Sequence, residues 1–318
     1  MDITFSILGL TGHMYGLFAA LAAAVLMLGV RLAGVKKLSS GTASVFTALG
    51  IVLGVAGARI LYCACNVTTF TETFENPWLM LNFFDGGFSM PGLIAGLVIA
   101  AAITARVMKA CMADVLDAAC VPAGLCLALL RFGEQFTDLG VGKAVQEGFA
   151  TANLPWLFSM SRMGVAVEYR LNVWAYEAVA GIVIFLCVLL LRRRLDKISG
   201  HTALFFASLF GASQILFESM RDDGHMLLIF LRVGQLGAAL LPIVACAILC
   251  KGESRAVKAA TWLEIAVCVI GVVILEFSLD GRLTFGNPTL LRDYSIMAVL
   301  CAILFAHPCW MILKGERA

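Results

Sequence analysis

The fold class is decided by residues 173–197, which read VWAYEAVAGIVIFLCVLLLRRRLDK. Between Val173 and Leu191 the only charged residue is Glu177, and three consecutive arginines come directly after Leu191. A segment of about 20 predominantly apolar residues is long enough to cross a bilayer as a helix. Basic residues gather at the cytoplasmic end of such helices. This stretch therefore predicts a transmembrane helix whose C-terminal end lies inside the cell.

The composition of the whole chain agrees with this interpretation. Of its 318 residues, 61% are hydrophobic and 14% are charged, whereas a soluble domain is about 45–50% apolar and about 25% charged. The net charge of +2 argues against a disordered chain and against a nucleic-acid partner. We predict an all-α polytopic membrane helix bundle. Its nine candidate spans cover about 14–34, 41–64, 91–108, 113–131, 173–191, 201–219, 227–249, 259–278 and 294–313.

The basic residues of the connections predict the orientation of the bundle. The connections after the first, third, fifth and seventh spans, together with the C-terminal tail, hold 14 of the 23 lysines and arginines. The connection 66–90 holds none. Since basic connections mark the cytoplasmic side, we expect the N-terminus outside and the C-terminus inside. The long connection 132–172 then lies outside, and we expect it to form a small cap on the bilayer surface.

The small residues in the spans predict close contact between helices rather than a metal or catalytic site. Glycines repeat along spans two and three, at positions that suit close helix contact (Gly50, Gly54, Gly57, Gly92 and Gly96). Most of the 11 cysteines lie in or beside apolar runs, where a thiol behaves as a small hydrophobic group. Cys63 and Cys65 are too close in sequence for the usual zinc spacing. We therefore predict no metal site.

Polar and ionisable side chains gather at one level of the predicted bundle. A charged side chain near the bilayer centre costs about 2.5–3.5 kcal/mol or more, so such residues are functional candidates. When the spans are followed in their predicted directions, these groups all reach the external end. Arginines and carboxylates at that level neutralise each other most cheaply in a shared pocket. The residues concerned are Tyr15, Arg59, Arg131, Glu134, Glu177, Glu218, Arg221, Arg232 and Gln235.

This level predicts a polar pocket that is open to the outer leaflet. Arginine binds phosphate through two parallel hydrogen bonds, which suits an anionic lipid head group. Membrane lipids are thus the expected partners. Taken singly, Arg59 or Arg232 is equally well explained as an interfacial anchor.

Several short motifs resemble one bacterial family, and they occur in the family's order. They are Tyr15-Gly16-Leu17, Gly57-Ala58-Arg59, the glycine-rich stretch from Gly86 to Gly96, Arg131 to Glu134 with Gly142, Tyr176-Glu177-Ala178, Glu218-x-x-Arg221 and Gly234-Gln235. The family is prolipoprotein diacylglyceryl transferase. The resemblance covers about residues 13–245.

The resemblance implies a reaction and a set of partners. The family transfers a diacylglyceryl group from phosphatidylglycerol to a cysteine thiol in the signal peptide of a preprolipoprotein. The reaction forms a thioether and releases glycerol phosphate, without a cofactor. It takes place at the outer face of the bacterial cytoplasmic (inner) membrane. By this resemblance, residues 1–250 form a seven-helix transferase-like core with an external cap at about 132–172, and residues 251–318 add two helices.

The resemblance also assigns roles to residues. Arg131, Glu134, Glu218 and Tyr15 are the expected catalytic residues. The expected substrate-binding residues are Arg59, Gly142, Tyr176, Glu177, Arg221, Arg232 and Gln235.

The sequence departs from the family at several motif positions. Met90 stands where the family usually has histidine, Gln214 where it has arginine, and Glu134 where it has asparagine. Glu134 or His225 could replace the base, and Arg221 or Arg232 could hold the phosphate.

Two other functions remain open. One is a non-catalytic lipid- or lipoprotein-binding relative. The other is a small-anion transporter, which is less favoured because spans two, three and seven become almost wholly apolar toward the cytoplasmic side.

Overall fold

The computed structural model describes residues 4–7, 10–73, 76–82, 86–148, 151, 153–163, 166–223, 226–228, 231–283 and 289–314. Within these residues, nine helices are long and apolar enough to cross a membrane. They are α1 (Met14–Gly34), α2 (Ser40–Cys65), α3 (Met90–Met108), α4 (Met112–Glu134), α5 (Val173–Leu195), α6 (His201–Met220), α7 (Val233–Leu249), α8 (Arg255–Leu279) and α9 (Leu290–Lys314). The predicted helical, multi-pass membrane bundle is confirmed.

The predicted start of the seventh span is wrong. The helix begins at Val233 rather than at residue 227, and a short antiparallel pair, β6 (Leu227–Leu228) and β7 (Leu231–Arg232), precedes it. Hydropathy alone cannot distinguish a short apolar strand from the first turn of a helix. The hairpin matters for the site because it places Arg232 directly before α7.

Short strands occupy two further places. β1 (Thr4–Ile7) and β2 (Leu10–His13) form a hairpin before α1. In the connection between α4 and α5, β3 (Val141–Val145), β4 (Phe158–Met163) and β5 (Ala166–Asn172) form an antiparallel sheet in the order β3-β5-β4. We call this the cap sheet. Its predicted position on the bilayer surface stays a prediction.

Glycines bring neighbouring helices into backbone contact, as the sequence predicts for α2 and α3. A Cβ atom on Gly57 would lie 2.5 Å from the Gly92 carbonyl oxygen, and one on Gly96 would lie 2.1 Å from the Leu53 carbonyl oxygen. Gly124 of α4 and Gly181 of α5 make a second contact of this kind, because a Cβ on either would lie 2.7 Å from the other's oxygen. The contact between α4 and α5 holds together the two helices that carry most of the site.

The core consists of apolar clusters between the helices. One cluster joins α1, α2, α3 and α4 around Val30, Phe46 and Val115. Another joins α6, α7, α8 and α9 around Ile215, Ala238 and Met297. Cys246, Cys268 and Cys301 belong to this second cluster, where they pack as small hydrophobic groups. The second cluster crosses the predicted boundary between residues 250 and 251, which itself stays a prediction.

Polar contacts tie the helices together at the end opposite the site. Arg192 donates from Nη2 to the Ala33 carbonyl at 2.7 Å. Asp117 accepts from the backbone N–H groups of Gly200 at 2.7 Å and Ala203 at 2.9 Å, so a side chain of α4 caps the start of α6. The other end of the bundle is called the outer end below, in keeping with the predicted orientation.

Candidate active site

Four charged side chains meet at the outer end, and we call them the buried ion cluster. Arg131 and Glu134 come from the last turn of α4, Glu177 from the second turn of α5, and Arg221 from the residue that ends α6. All four are buried, and Glu177 completely so. Buried charges are tolerated where they are paired and hydrogen-bonded. The structure therefore brings together four of the nine residues that the sequence places at this level. A pocket open to the outer leaflet stays a prediction.

Arg131 links α4 to α5 and α6. Its Nη1 lies 2.5 Å from Glu134 Oε1, and its Nε lies 3.1 Å from Glu177 Oε2. Its Nη2 donates to Gln214 Oε1 at 3.2 Å. Gln214 thus belongs to the site, at the position where the resemblance leads one to expect an arginine.

Arg221 is held by three carboxylates. It donates from Nη1 to Glu177 Oε2 at 2.8 Å and from Nη2 to Glu134 Oε2 at 3.2 Å. Asp223 accepts from Nε at 2.9 Å and from Nη2 at 2.7 Å. Burial lowers the pKa of Arg221, but the Glu177, Glu134 and Asp223 carboxylates outweigh burial and raise the pKa above its ordinary value. The guanidinium is therefore charged at any physiological pH.

The site retains hydrogen-bonding capacity that the described residues do not use. Glu177 Oε1 and Gln214 Nε2 are buried and have no hydrogen-bond partner within the described part of the chain. Buried polar atoms usually have a partner in folded proteins, and these two are placed to bond a polar group of a substrate. Both atoms belong to side chains that contact the two arginines.

A small cavity next to the cluster is lined by two of the three positions named above at which the sequence departs from the family pattern. Its empty volume is about 210 Å³, and its lining includes Met90, Pro91, Gln214, Glu218 and Gly234. Glu218 lies against Gly234, since a Cβ there would approach the Glu218 Cδ to 2.4 Å. Met90 and Gln214, which replace the expected histidine and arginine, therefore face the same space as Glu218.

Three other predicted site residues adjoin the cluster. Tyr15 packs beside the residue before Glu134, because a Cβ on Gly133 would lie 3.3 Å from Tyr15 Cδ2. Gly142 of β3 forms an antiparallel bridge with Arg221, and a Cβ at Gly142 would lie 2.8 Å from the Met220 oxygen. The Tyr176 hydroxyl donates to the Leu157 carbonyl at 2.5 Å, which joins α5 to the short helix before β4.

Arg59 lies apart from the cluster and binds backbone carbonyls. It donates to the Leu79 oxygen at 2.8 Å and the Met80 oxygen at 3.0 Å, and also to the Gly86 and Gly87 oxygens. Its guanidinium carbon lies 5.7 Å from the centroid of the Tyr62 ring. These contacts hold the connection between α2 and α3, whereas the predicted role was substrate binding.

Arg232 and Gln235 face α8 rather than the cluster. Arg232 donates from Nη1 to the backbone carbonyl of Glu218 at 2.6 Å and to that of Arg221 at 3.3 Å. Its Nη2 lies 3.7 Å from Asp280 Oδ1. Gln235 donates to Glu276. Arg232 therefore supports the backbone of the segment that carries Glu218 and Arg221.

Sequence reasoning missed the acidic partners Asp223, Glu276 and Asp280. Glu276 and Asp280 carry the same signal as the chosen residues, a charge at the outer end of an apolar span. Asp223 follows Arg221 by two residues in a connection and carries no such signal. His225, a candidate base, lies outside the described residues.

Comparison with known proteins gives one consistent result. The family described as prolipoprotein diacylglyceryl transferase matches residues 2–251. A phosphatidylglycerol–prolipoprotein diacylglyceryl transferase of Streptococcus equi subsp. zooepidemicus is 27% identical over 218 residues, which cover 66% of this chain and 78% of the relative. Proteins of the same name are 26% identical in Symbiobacterium thermophilum (74% of this chain, 86% of the relative) and 25% identical in Bacillus licheniformis (78% and 90%).

Proposed function

This chain belongs to the prolipoprotein diacylglyceryl transferase family, and from that premise we propose that it transfers a diacylglyceryl group from phosphatidylglycerol to a preprolipoprotein cysteine. The proposed location is the outer face of the bacterial cytoplasmic membrane. The observation that carries the proposal is the buried ion cluster. It joins residues of three family motifs, Arg131 with Glu134, Glu177 and Arg221, through direct ion pairs.

The proposed reaction breaks one bond and forms one. The cysteine thiolate attacks the glyceryl carbon that bears the phosphate, a C–S bond forms, and glycerol phosphate leaves with the electron pair of the C–O bond. Arg131 and Arg221 would bind the phosphate and stabilise the charge that grows on it as it leaves. To do so they must exchange part of their present contacts with carboxylates for contacts with phosphate oxygens.

Glu134 is our proposed base. It bridges the two arginines, with one oxygen 2.5 Å from Arg131 and the other 3.2 Å from Arg221. When a phosphate takes over the two guanidiniums, the Glu134 carboxylate is released from both ion pairs. It can then take the thiol proton, which the nucleophile must lose.

Complementation tests this proposal. The chain is expressed in a bacterium depleted of its own transferase, and the mass of one lipoprotein is followed. We expect a gain of one diacylglyceryl unit, which Arg131→Ala abolishes and Glu134→Gln lowers by about 100-fold or more, as loss of a general base does.

Arg106→Ala is the matched control, since Arg106 is an exposed arginine in the last turn of α3 and should not affect the reaction. Membrane insertion of each variant is measured in parallel. Full modification by Arg131→Ala would show that the site is wrong.

One observation favours a second candidate, a lipid-binding relative without the chemistry. Three carboxylates, those of Glu134, Glu177 and Asp223, contact only two guanidiniums. This excess of negative charge opposes binding of an anionic phosphate. A well-inserted chain that adds no mass to the lipoprotein would support this candidate. If the double variant Met90→His, Gln214→Arg then adds the mass, the cavity beside Glu218 is a weakened catalytic site.

A further inference from the structure

A second, larger space lies on the other side of the segment that carries Glu218 and Arg221. It is a groove between α6, α7, α8 and α9 with about 700 Å³ of empty volume, part of it open to the surroundings. Its lining is mostly apolar and includes Ile215, Leu236, Ala239, Val269 and Val272. Arg232 connects the groove to this segment, because it lines the groove and donates to the backbone carbonyls of Glu218 and Arg221.

The groove has the length of one acyl chain in one leaflet. It follows α8 from Asp280 to Val269, which is eleven residues and therefore about 16 Å of helix. The hydrocarbon core of a bilayer is about 30 Å thick, so one leaflet spans about 15 Å. An acyl chain that enters past the polar side chains of the outer end would lie against apolar side chains deeper in the groove.

Asp280, at the outer end of the groove, has two cations beside it at distances too long for hydrogen bonds: Lys143, and Arg232 of the groove lining. Asp280 Oδ1 lies 3.8 Å from Lys143 Nζ and 3.7 Å from Arg232 Nη2. Lys143 Nζ is buried and has no hydrogen-bond partner among the residues that the structure describes. A phosphate oxygen placed between Lys143 and Arg232 would accept from both, as lipid phosphates do from basic side chains.

The charge balance of Lys143 agrees with such a ligand. Burial and the nearby Arg232 guanidinium lower the pKa of Lys143, and the carboxylates of Glu276, Asp280 and Asp222 only partly oppose this. A negatively charged phosphate beside Nζ would favour the protonated ammonium form of Lys143. The Glu276 carboxylate is less available to Lys143, since it already accepts a hydrogen bond from Gln235.

We propose that this groove binds a membrane phospholipid, with one acyl chain between α7 and α8 and the phosphate at Lys143 and Arg232. The site is distinct from the buried ion cluster. It depends on α8 and α9, which lie beyond the matched residues 2–251. The proposal does not rest on the diacylglyceryl transfer proposed above.

Photolabelling of the purified full chain tests the acyl-chain position. The probe is a phosphatidylglycerol with a diazirine on one acyl chain, and labelled peptides are mapped by mass spectrometry. We expect saturable labelling of the peptides that face the groove, which unlabelled phosphatidylglycerol displaces. Ala239→Trp fills the groove and should lower this labelling at least tenfold, and Val272→Phe serves as a second filling variant.

Leu240→Trp is the matched control. Leu240 neighbours Ala239 on α7 but is 57% exposed toward the surroundings of the bundle. The control should leave the saturable labelling unchanged. Labelling that does not saturate, or that persists in a folded Ala239→Trp or Val272→Phe chain, would overturn the proposal.

The phosphate position is tested with Lys143. Lys143→Gln should weaken phosphatidylglycerol binding about tenfold, and Lys143→Arg should retain it. A diacylglycerol with the same diazirine, which lacks the phosphate, should bind equally to the wild type and to Lys143→Gln. Equal binding of phosphatidylglycerol to the wild type and Lys143→Gln would disprove the phosphate contact.

The two proposals fail separately. Arg131→Ala should lose lipoprotein modification but keep the saturable labelling of the groove. A chain that modifies lipoproteins but shows no saturable labelling would disprove only the groove site.

Discussion

The charge of Lys143 is poorly compensated by the residues that the structure describes. Its ammonium group is buried beside Arg232, and its closest carboxylate oxygen is 3.8 Å away. A lysine whose pKa is lower in the folded state binds fewer protons there than in the unfolded chain. Its charge therefore costs stability at low pH, and the cost falls as the pH rises from the folded-state pKa to the ordinary pKa of the unfolded chain.

We predict that the free energy of unfolding rises with pH more steeply in the wild type than in Lys143→Met. The difference should develop as the pH rises toward the ordinary pKa of lysine, about 10.4. Thermal unfolding in detergent without added phospholipid measures it. Parallel pH profiles for the two chains would show that Lys143 carries no such penalty.

For individual residues, the sequence identifies charges that interrupt apolar helices as site candidates. Arg131, Glu177 and Arg221 were predictable because each is a charge within or at the end of an otherwise apolar span, where a charge needs partners. Arg59 has the same pattern, but its partners are backbone carbonyls. Backbone groups are present at every position, so no sequence pattern distinguishes them. Lys143 lies in a connection, where a lysine is ordinary.

The close packing of α2 against α3 requires glycines, because a Cβ atom at the contact would meet the backbone of the facing helix. The Cβ of an alanine at Gly96 would lie 2.1 Å from the Leu53 carbonyl oxygen, which is backbone and cannot move aside cheaply. We predict that Gly96→Ala lowers the free energy of unfolding by about 1–3 kcal/mol, in the range of overpacked cores.

Gly16→Ala is the control for this prediction. A Cβ at Gly16 on α1 would have no neighbour within 4 Å, and alanine is the better helix former by up to about 1 kcal/mol. Thermal unfolding of both variants in the same detergent gives the comparison. Equal stability of Gly96→Ala and wild type would mean that α2 and α3 can separate without loss.

Element boundaries follow from the sequence only where polarity changes sharply. The predicted start of α5 agrees with the structure, whereas its predicted end at residue 191 is four residues short, because the arginines that end the apolar run continue the helix to Leu195. The start of α7 is not, because residues 227–231 are all apolar and can pair as a hairpin as well as coil as a helix. The strands of the cap sheet are short and partly polar, so only their external connection could be predicted.

For the whole molecule, the last two helices are part of the bundle's core. α9 returns to pack on α6, and the Tyr294 hydroxyl donates to the Ser219 carbonyl at 3.2 Å. Ile215 of α6, Cys268 of α8 and Met297 of α9 share one apolar cluster. The sequence suggests two appended spans, but it contains no signal that would place α9 against the helix that ends in Arg221.

We predict that a chain ending at Glu253 is markedly less stable than the full protein. Removal of α8 and α9 would expose Ile215 and Ala238, and would remove Glu276 and Asp280 from Gln235 and Arg232. Co-expression of residues 254–318 as a separate piece should restore the yield and the melting temperature. An unchanged melting temperature of the shortened chain would show that the two helices are accessory.

The antiparallel bridge between Gly142 and Arg221 couples the cap sheet to the outer end of α6. Two further bonds reinforce it, from Asp222 N–H to the Val141 oxygen at 3.0 Å and from Gly140 N–H to Asp223 at 2.7 Å. Any displacement that lifts β3 therefore pulls on the backbone of Arg221 and on its pairs with Glu134 and Glu177. Lifting the cap sheet and releasing the Arg221 guanidinium are then one movement rather than two successive ones.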